Sequence, residues 1–341
     1  GFCIATCPTY VLLGDERDSP RGRIYLIKDM LEGGKRPSAE VKTHIDRCLS
    51  CLSCMSTCPS GVDYMHLVDL ARSRIHEHGR RGIRDRLSRW LIARIVPRAG
   101  RFRLALLAAQ FARPLGGLFR AIGLRPLAEM LALAPRSLPR FAHFRGRRTH
   151  SGTVPRTGRV ILMPGCAQQA LRPDINDAAV RVMTRFGIEV VISEPRNCCG
   201  SLVQHMGREG EARAQAARSI ADFHLAMGDG ILDAIVLTAS GCGTTVKDYG
   251  HMFARDTERW KEAAHVAGLA KDICEFLVSQ DLGAPKRWSS LRVAYHPACS
   301  LQHGQGVDEA PRRLLEGAGF SVADIGERHL CCGSAGTYNI M

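Results

Sequence analysis

The chain has 341 residues, 45% of them hydrophobic, with a formal net charge of +14 and fourteen cysteines. The apolar fraction is ordinary for globular protein, the length allows two or three domains, and no apolar run reaches the roughly eighteen residues of a membrane span. Most cysteines fall in clusters, which argues against a dispersed disulfide framework and for metal or redox use in a reducing compartment; no signal peptide is visible.

In chain order, Cys3-Ile4-Ala5-Thr6-Cys7-Pro8 has the form C-x3-C-P. Next comes "SPRGRIYLIKDMLEGG", with Ser19 as N-cap, Pro20 at the first position and Gly33-Gly34 at the stop, which predicts a helix. "SAEVKTHIDRCLS" predicts a second helix that runs into Cys48, Cys51, Cys54 and Cys58-Pro59. The spacing C-x2-C-x2-C-x3-C-P is the bacterial ferredoxin run, whereas zinc takes two separated pairs. In that run three close thiolates serve one cluster and the fourth reaches the other. Cys7, Cys48, Cys51 and Cys54 therefore make one complete [4Fe–4S] ligand set, and Cys3 and Cys58 belong to a second. The C-x2-C of that second set is expected upstream of Gly1, in a longer protein with two clusters. "VDYMHLVDLARSRIHEHG" predicts a third helix. Residues 1–78 thus read as an α-helical two-cluster ferredoxin-like module.

Residues 79–150 carry seventeen arginines, no lysine, and two acids, Asp85 and Glu129. Leu, Ile, Trp and Phe alternate with the arginines at near-helical spacing, which predicts basic amphipathic helices broken at Pro97 and Pro114. Such a helical basic linker suits a membrane surface or an acidic partner, or is simply solvated. Nucleic acid is the weaker reading, since no binding motif accompanies the charge.

"THSGTVPRTG" at 149–158 reads as a linker. Beyond it the chain repeats itself: "RVILMPGCAQQ" matches "RVAYHPACSLQ", and "NCCGS" matches "LCCGS", both 133 residues later. Each copy reads strand, turn, helix, strand, and the first continues through a long helix "EGEARAQAARSIADFHLAMG", a strand "AIVLTAS" and a loop-into-helix "GCGTTVKDYGHMFA". The alternation predicts duplicated α/β domains with a parallel sheet, the first at 151–285 and the second at 286–341. The second copy's counterpart of Ser240–Gly243 is expected beyond residue 341.

Cysteine-bearing loops that follow strand ends meet at one edge of an open α/β sheet. Cys166, Cys198, Cys199 and Cys242 of the first copy, and Cys299, Cys331 and Cys332 of the second, are therefore candidate redox or cluster sites, against a plainer reading as buried packing turns. Cys274 reads as a core residue on the helix "AKDICEFLVSQ", and His205 and His296 as hydrogen-bonding side chains rather than ligands. With no G-x-G-x-x-G and no P-loop, no catalytic residue is assigned.

The two ferredoxin motifs, "SPRGRIYL" and the paired "CCG" units resemble the iron–sulfur subunit of bacterial glycolate oxidase, and are similar to lactate-utilisation and heterodisulfide reductase subunits. The resemblance implies [4Fe–4S] clusters ligated through Cys3, Cys7, Cys48, Cys51, Cys54 and Cys58. It implies an electron-transfer subunit that takes electrons from an FAD-containing glycolate-oxidising partner toward a quinone or another acceptor, in the cytoplasm or peripherally at the inner face of the membrane. In the heterodisulfide reductase relatives a C-x2-C lies downstream of the CCG pair. Here Thr245 stands where its second cysteine would be, in Cys242-Gly243-Thr244-Thr245, which favours the glycolate oxidase branch. The alternatives are a heterodisulfide-reductase-like thiol/disulfide subunit and an iron–sulfur nucleic-acid-binding protein.

Overall fold

In the computed structural model, which describes residues 1–34, 36–123, 125–139, 148–228, 230–280, 282–283 and 291–333, the amino-terminal third is helical. Ser19 accepts a hydrogen bond from the Gly22 N–H at 3.0 Å, and Pro20 opens the helix Pro20–Glu32. Ser38 caps Ala39–Asp46 in the same way, and Asp63 caps Tyr64–His78. These helices share a core of Ile27, Met30, Val41, Ile45, Val68, Ala71 and Ile75, with Cys48 packed into it.

The arginine-rich stretch is helical as expected, over Ile83–Ile95, Ala99–Ala112, Gly116–Ala121 and Arg125–Leu133. Pro97 falls in the first gap, and Pro114 in a short turn of 3-10 helix, Arg113–Leu115. Its charges are not all free. Arg81 binds Asp46 and Asp85 at 2.7 and 2.9 Å, and Arg89 binds Asp85 at 2.8 Å, so these two arginines fasten the first helix to the amino-terminal module. Arg140, Arg145 and Arg147 of this stretch lie outside the described residues.

A five-stranded sheet follows, built from β1 (Arg148–His150), β2 (Gly158–Met163), β3 (Ile188–Ile192), β4 (Ala234–Leu237) and β5 (Ala270–Asp272), in the order β1-β3-β2-β4-β5. β3, β2, β4 and β5 are parallel, and β1 joins β3 antiparallel. Alternate residues of the central strands feed two cores: Ile161, Met163, Ile235 and Leu237 on one face, Val160, Leu162, Ala234 and Val236 on the other. Helices cover both faces, as a parallel sheet requires.

Three readings need correction. Thr149 and His150, taken as linker, belong to β1, a short edge strand without an apolar residue and so without a strand signal. Ala270–Asp272, taken as the start of a helix, is β5; the helix is Ile273–Val278, opened by a capping box between Asp272 and Glu275. Ser240 already opens a helix, Ser240–Lys247, so Cys242 sits in a first helical turn rather than a loop.

The second copy contributes β6 (Arg292–Ala294) and β7 (Ser321–Ala323), parallel to each other, with the helix Glu309–Gly317 between them. Ser334 and the residues after it, which close the second "CCGS", lie outside the described residues.

Candidate metal centres

The helix Ala39–Asp46 stops just before Cys48, and the loop that follows is unusual. Ser50 and Leu52, neither of them glycine, both adopt left-handed backbone, with φ of 52° and 62°. Each costs about 1–3 kcal/mol and persists only where the surroundings fix it. Arg72 is one such fixture: it donates to the Cys48 carbonyl at 2.7 Å and to the Ser50 hydroxyl at 2.5 Å.

The result is a small cavity lined by Cys7, Cys48, Cys51 and Cys54 together with Arg23 and Tyr64. These are the four cysteines that the spacing groups into one set. Arg23 is 1% exposed and its guanidinium donates toward Cys7 Sγ at 3.7 Å, to Thr9 at 3.0 Å and to the His44 carbonyl at 2.7 Å. The Tyr64 hydroxyl donates to Cys48 Sγ at 3.7 Å. Burial and the neighbouring Cys48 and Cys7 push the Cys54 thiol up to about 12, and a hydrogen bond with Cys331 together with burial pushes Cys51 up as well. Crowded buried thiols resist ionising together, and a bound cationic centre reverses that by taking them as thiolates. Four soft donors around a mostly apolar cavity, with hydrogen-bond donors aimed at the sulfurs, fit a [4Fe–4S] cluster.

Cys3 lies on the helix Phe2–Ala5, which packs on Ser53–Thr57, and Cys58 caps the latter. Cys58 does not line the cavity. Backbone N–H groups of Val62, Ser60 and Gly61 hold its thiol below the ordinary range.

In the first repeat, Cys166 follows β2, Cys198 and Cys199 follow β3, and Cys242 follows β4, so all four meet at the carboxyl edge of three adjacent strands. Cys166 Sγ is 3.7 Å from Cys198 Sγ, and the neighbouring Cys198 and Cys242 thiols push that of Cys199 up. Gly200, at φ 92°, makes the turn possible: a Cβ there would lie 2.9 Å from the Ala212 carbonyl oxygen. The Tyr249 hydroxyl and the Ser219 hydroxyl donate to the Cys199 and Cys198 carbonyls at 3.0 and 3.2 Å. Hydrogen bonds from Cys166 and Cys199 hold the Cys198 thiol low, while Cys166 and Cys199 are pushed up.

The second repeat places Cys299 after β6 and Cys331 and Cys332 after β7. The thiols of Cys299 and Cys51 beside Cys331 hold its own thiol down at about 3; Cys332 is exposed. The two repeats touch through Thr244 to the Ser300 carbonyl at 2.8 Å, Ser300 to Ser240 at 2.7 Å and Gln305 to the Ser240 carbonyl at 2.9 Å. His303 then bridges Ser56 at 2.7 Å and the His329 carbonyl at 3.0 Å, and Ser53 donates to that same carbonyl at 3.1 Å.

The remaining candidates stay outside these sites. Cys274 is half-buried at the start of its helix, its thiol raised to about 12 mainly by burial. His205 faces Asp69 at 3.5 Å across the contact between the amino-terminal module and the first repeat. His296 is exposed. Asp15, Asp18 and His44 also converge, but Asp18 already binds Arg23 at 3.3 Å, Arg47 at 2.8 Å and His44 at 2.9 Å, which makes an ion-pair network rather than a cation site. Sequence reasoning missed Arg23, Tyr64, Arg72 and His303. Only Arg23 had a signal, its place in "SPRGRIYL".

The 4Fe-4S dicluster domain family matches residues 1–62, and the Cysteine-rich domain family matches 160–247 and 293–341. The chain is 38% identical to the Glycolate oxidase iron-sulfur subunit of Escherichia coli (strain K12), over 99% of this chain and 78% of that protein. It is 31% identical to the Probable glycolate oxidase iron-sulfur subunit of Bacillus subtilis (strain 168), over 100% of this chain and 79% of that one. Lactate utilization protein A of Geobacillus kaustophilus is 30% identical over 53% of this chain and 74% of its own length. No solved structure matches.

Proposed function

The chain belongs to the family of glycolate oxidase iron–sulfur subunits, and from that premise we propose that it is the electron-transfer subunit of a 2-hydroxy acid oxidase complex. Its partner is an FAD-containing subunit that oxidises glycolate to glyoxylate, releasing two electrons and two protons; the acceptor is a quinone or another oxidant. The chain oxidises no substrate alone.

The observation that carries the proposal is the single cavity lined by Cys7, Cys48, Cys51 and Cys54. We assign these four as ligands of one [4Fe–4S] cluster, and Cys3 and Cys58 to the second. A bound cluster supplies one-electron chemistry, which lets a two-electron flavin discharge stepwise. The chain's own residues hold and tune it. Ser50 and Leu52 turn the loop so that its thiols face inward, Arg72 locks that turn, Leu49 and Leu52 keep the cavity apolar, and Arg23 and Tyr64 donate to sulfur. Cys331 against Cys51 supports reading the second repeat as the next station, and the convergence of Cys166, Cys198, Cys199 and Cys242 supports a further redox site in the first.

The test is the assembled complex with Cys51→Ser. Glycolate should still reduce the flavin partner, while electron delivery to the acceptor stops. Delivery at the parental rate would refute the assignment.

A further inference from the structure

We propose that the outward face of the helices between Ile83 and Ile122 is a docking surface for an anionic lipid bilayer. The helix Ala99–Ala112 is apolar on two sides. Its inner side buries Ala99 and Leu106 and packs on the helix Cys166–Leu171 of the first repeat. Its outer side carries Leu104, 68% exposed, Leu107, and Phe111, 86% exposed. Leu115, Leu118 and Ile122, in the short 3-10 turn and helix that follow, are exposed as well. A surface helix ordinarily turns one apolar stripe inward and its polar side to water, and a helix apolar all round is covered all round. Contiguous apolar patches on soluble proteins mark interaction sites. The preceding helix repeats the pattern with Ile83, Leu87 and Trp90, again exposed.

Charge decides the occupant. Exposed Arg84, Arg86, Arg94, Arg98 and Arg101 lie among these apolar residues. The carboxylates of the arginine-rich stretch are Asp85, already bound by Arg81 and Arg89, and Glu129, bound by Arg120 at 3.3 Å. A face of Leu, Ile, Phe and Trp with arginines and no available carboxylate is the composition of a helix lying in a bilayer interface, apolar side chains among the acyl chains and guanidinium groups at phosphate. Arginine, used here to the exclusion of lysine, pairs with phosphate in a bidentate fork. No helix among the described residues is long and apolar enough to cross a membrane, so the surface lies on the bilayer. The proposal uses none of the cysteine chemistry and stands or falls separately from it.

The test is flotation of the full chain with phosphatidylglycerol–phosphatidylcholine vesicles and with pure phosphatidylcholine vesicles. The chain should float with the anionic vesicles, and much less with the neutral ones. The triple substitution Leu104→Gln, Phe111→Gln and Leu118→Gln should weaken that binding on the order of a hundredfold. Arg98→Gln with Arg101→Gln should weaken it about fivefold per arginine. All five positions are exposed, so circular dichroism and iron content should match the parent. Equal flotation with both vesicles, no flotation, or unchanged flotation of the triple variant overturns the proposal. Loss of association with the flavoprotein partner in the triple variant, with vesicle binding intact, assigns the face to protein and overturns it too.

Discussion

Cys51 and Cys331 lie 280 residues apart in the chain, yet their thiols stand close enough that each shifts the other's ionisation, Cys51 upward and Cys331 downward. One lines the ferredoxin cavity and the other belongs to the second CCG pair, so the two cysteine systems meet sulfur to sulfur. Ser53 and His303 hold the junction through the His329 carbonyl. Cys331→Ser should therefore separate the two roles. Iron and acid-labile sulfide of the amino-terminal module should stay at the parental value, because all four cavity thiols remain. Electron passage out of that module should slow. Loss of the module's iron in Cys331→Ser would mean instead that Cys331 is itself a ligand.

Arg23 is the second lever. It is the buried cation beside Cys7, and it also neutralises Asp18. A positive donor next to sulfur favours the more negative, reduced cluster. Arg23→Gln should move the midpoint potential to more negative values and destabilise the fold by about 3 kcal/mol, since it removes one partner from a buried charge network. Arg23→Lys should restore most of the potential, as the charge returns, but less of the stability, as the planar fork does not. A potentiometric titration of the loaded chain distinguishes the outcomes: stability lost with the potential unmoved would make Arg23 purely structural.

The motifs that were legible are those whose chemistry is local. The step of three and four between Cys48, Cys51, Cys54 and Cys58 follows from wrapping one loop around one cluster. Ser19-Pro20 and Ser38 announce helix starts because their hydroxyls bond the adjacent turn. The 133-residue repeat placed the CCG cysteines after strands without any need for contacts. What stayed hidden is long-range or one-sided. Nothing near Cys331 points to Cys51. The apolar period of Leu104, Leu107 and Phe111 says that a stripe exists, but not that the structure turns it outward. Arg81 and Arg89 read as free surface charge until Asp46 and Asp85 are seen beside them. β1 and β5, three residues each, are too short for a period of two to register.

Gly22 shows why "SPRGRIYL" takes its form. A Cβ at that position would sit 2.1 Å from the Glu16 carbonyl oxygen and 2.8 Å from Arg17 Cα, so the helix Pro20–Glu32 can approach the preceding turn only without a side chain. That approach also sets where Arg23 enters the cavity. Gly22→Ala should cost at least about 2 kcal/mol through backbone displacement, and it should lower iron retention as Arg23 and Cys7 separate. Chemical denaturation together with iron analysis after chelator challenge measures both. A variant as stable as the parent would remove close approach as the reason for this glycine.

His66 gives the contact between the amino-terminal module and the first repeat a pH dependence. Its Nε2 meets Asp248 at 2.8 Å, its Nδ1 meets Asp63, and its ring stacks on His251 with centroids 3.5 Å apart. The hydrogen bond to Asp248 raises its pKa to about 9 against the opposing effect of burial, with the charges of Asp248 and Asp63 adding to the rise. The unfolded chain releases this proton near the ordinary value of about 6.5. The contribution to stability is therefore complete below that pH and is lost as pH rises through about 9. Its size is on the order of 1 kcal/mol, because a quarter of the side chain remains in solvent. His66→Gln should flatten the fall in Tm between pH 7 and 10 and leave the Tm at pH 9.5 nearly unchanged, while Asp248→Asn should lower the Tm mainly on the acidic side. A parental slope in His66→Gln would place the titrating group elsewhere.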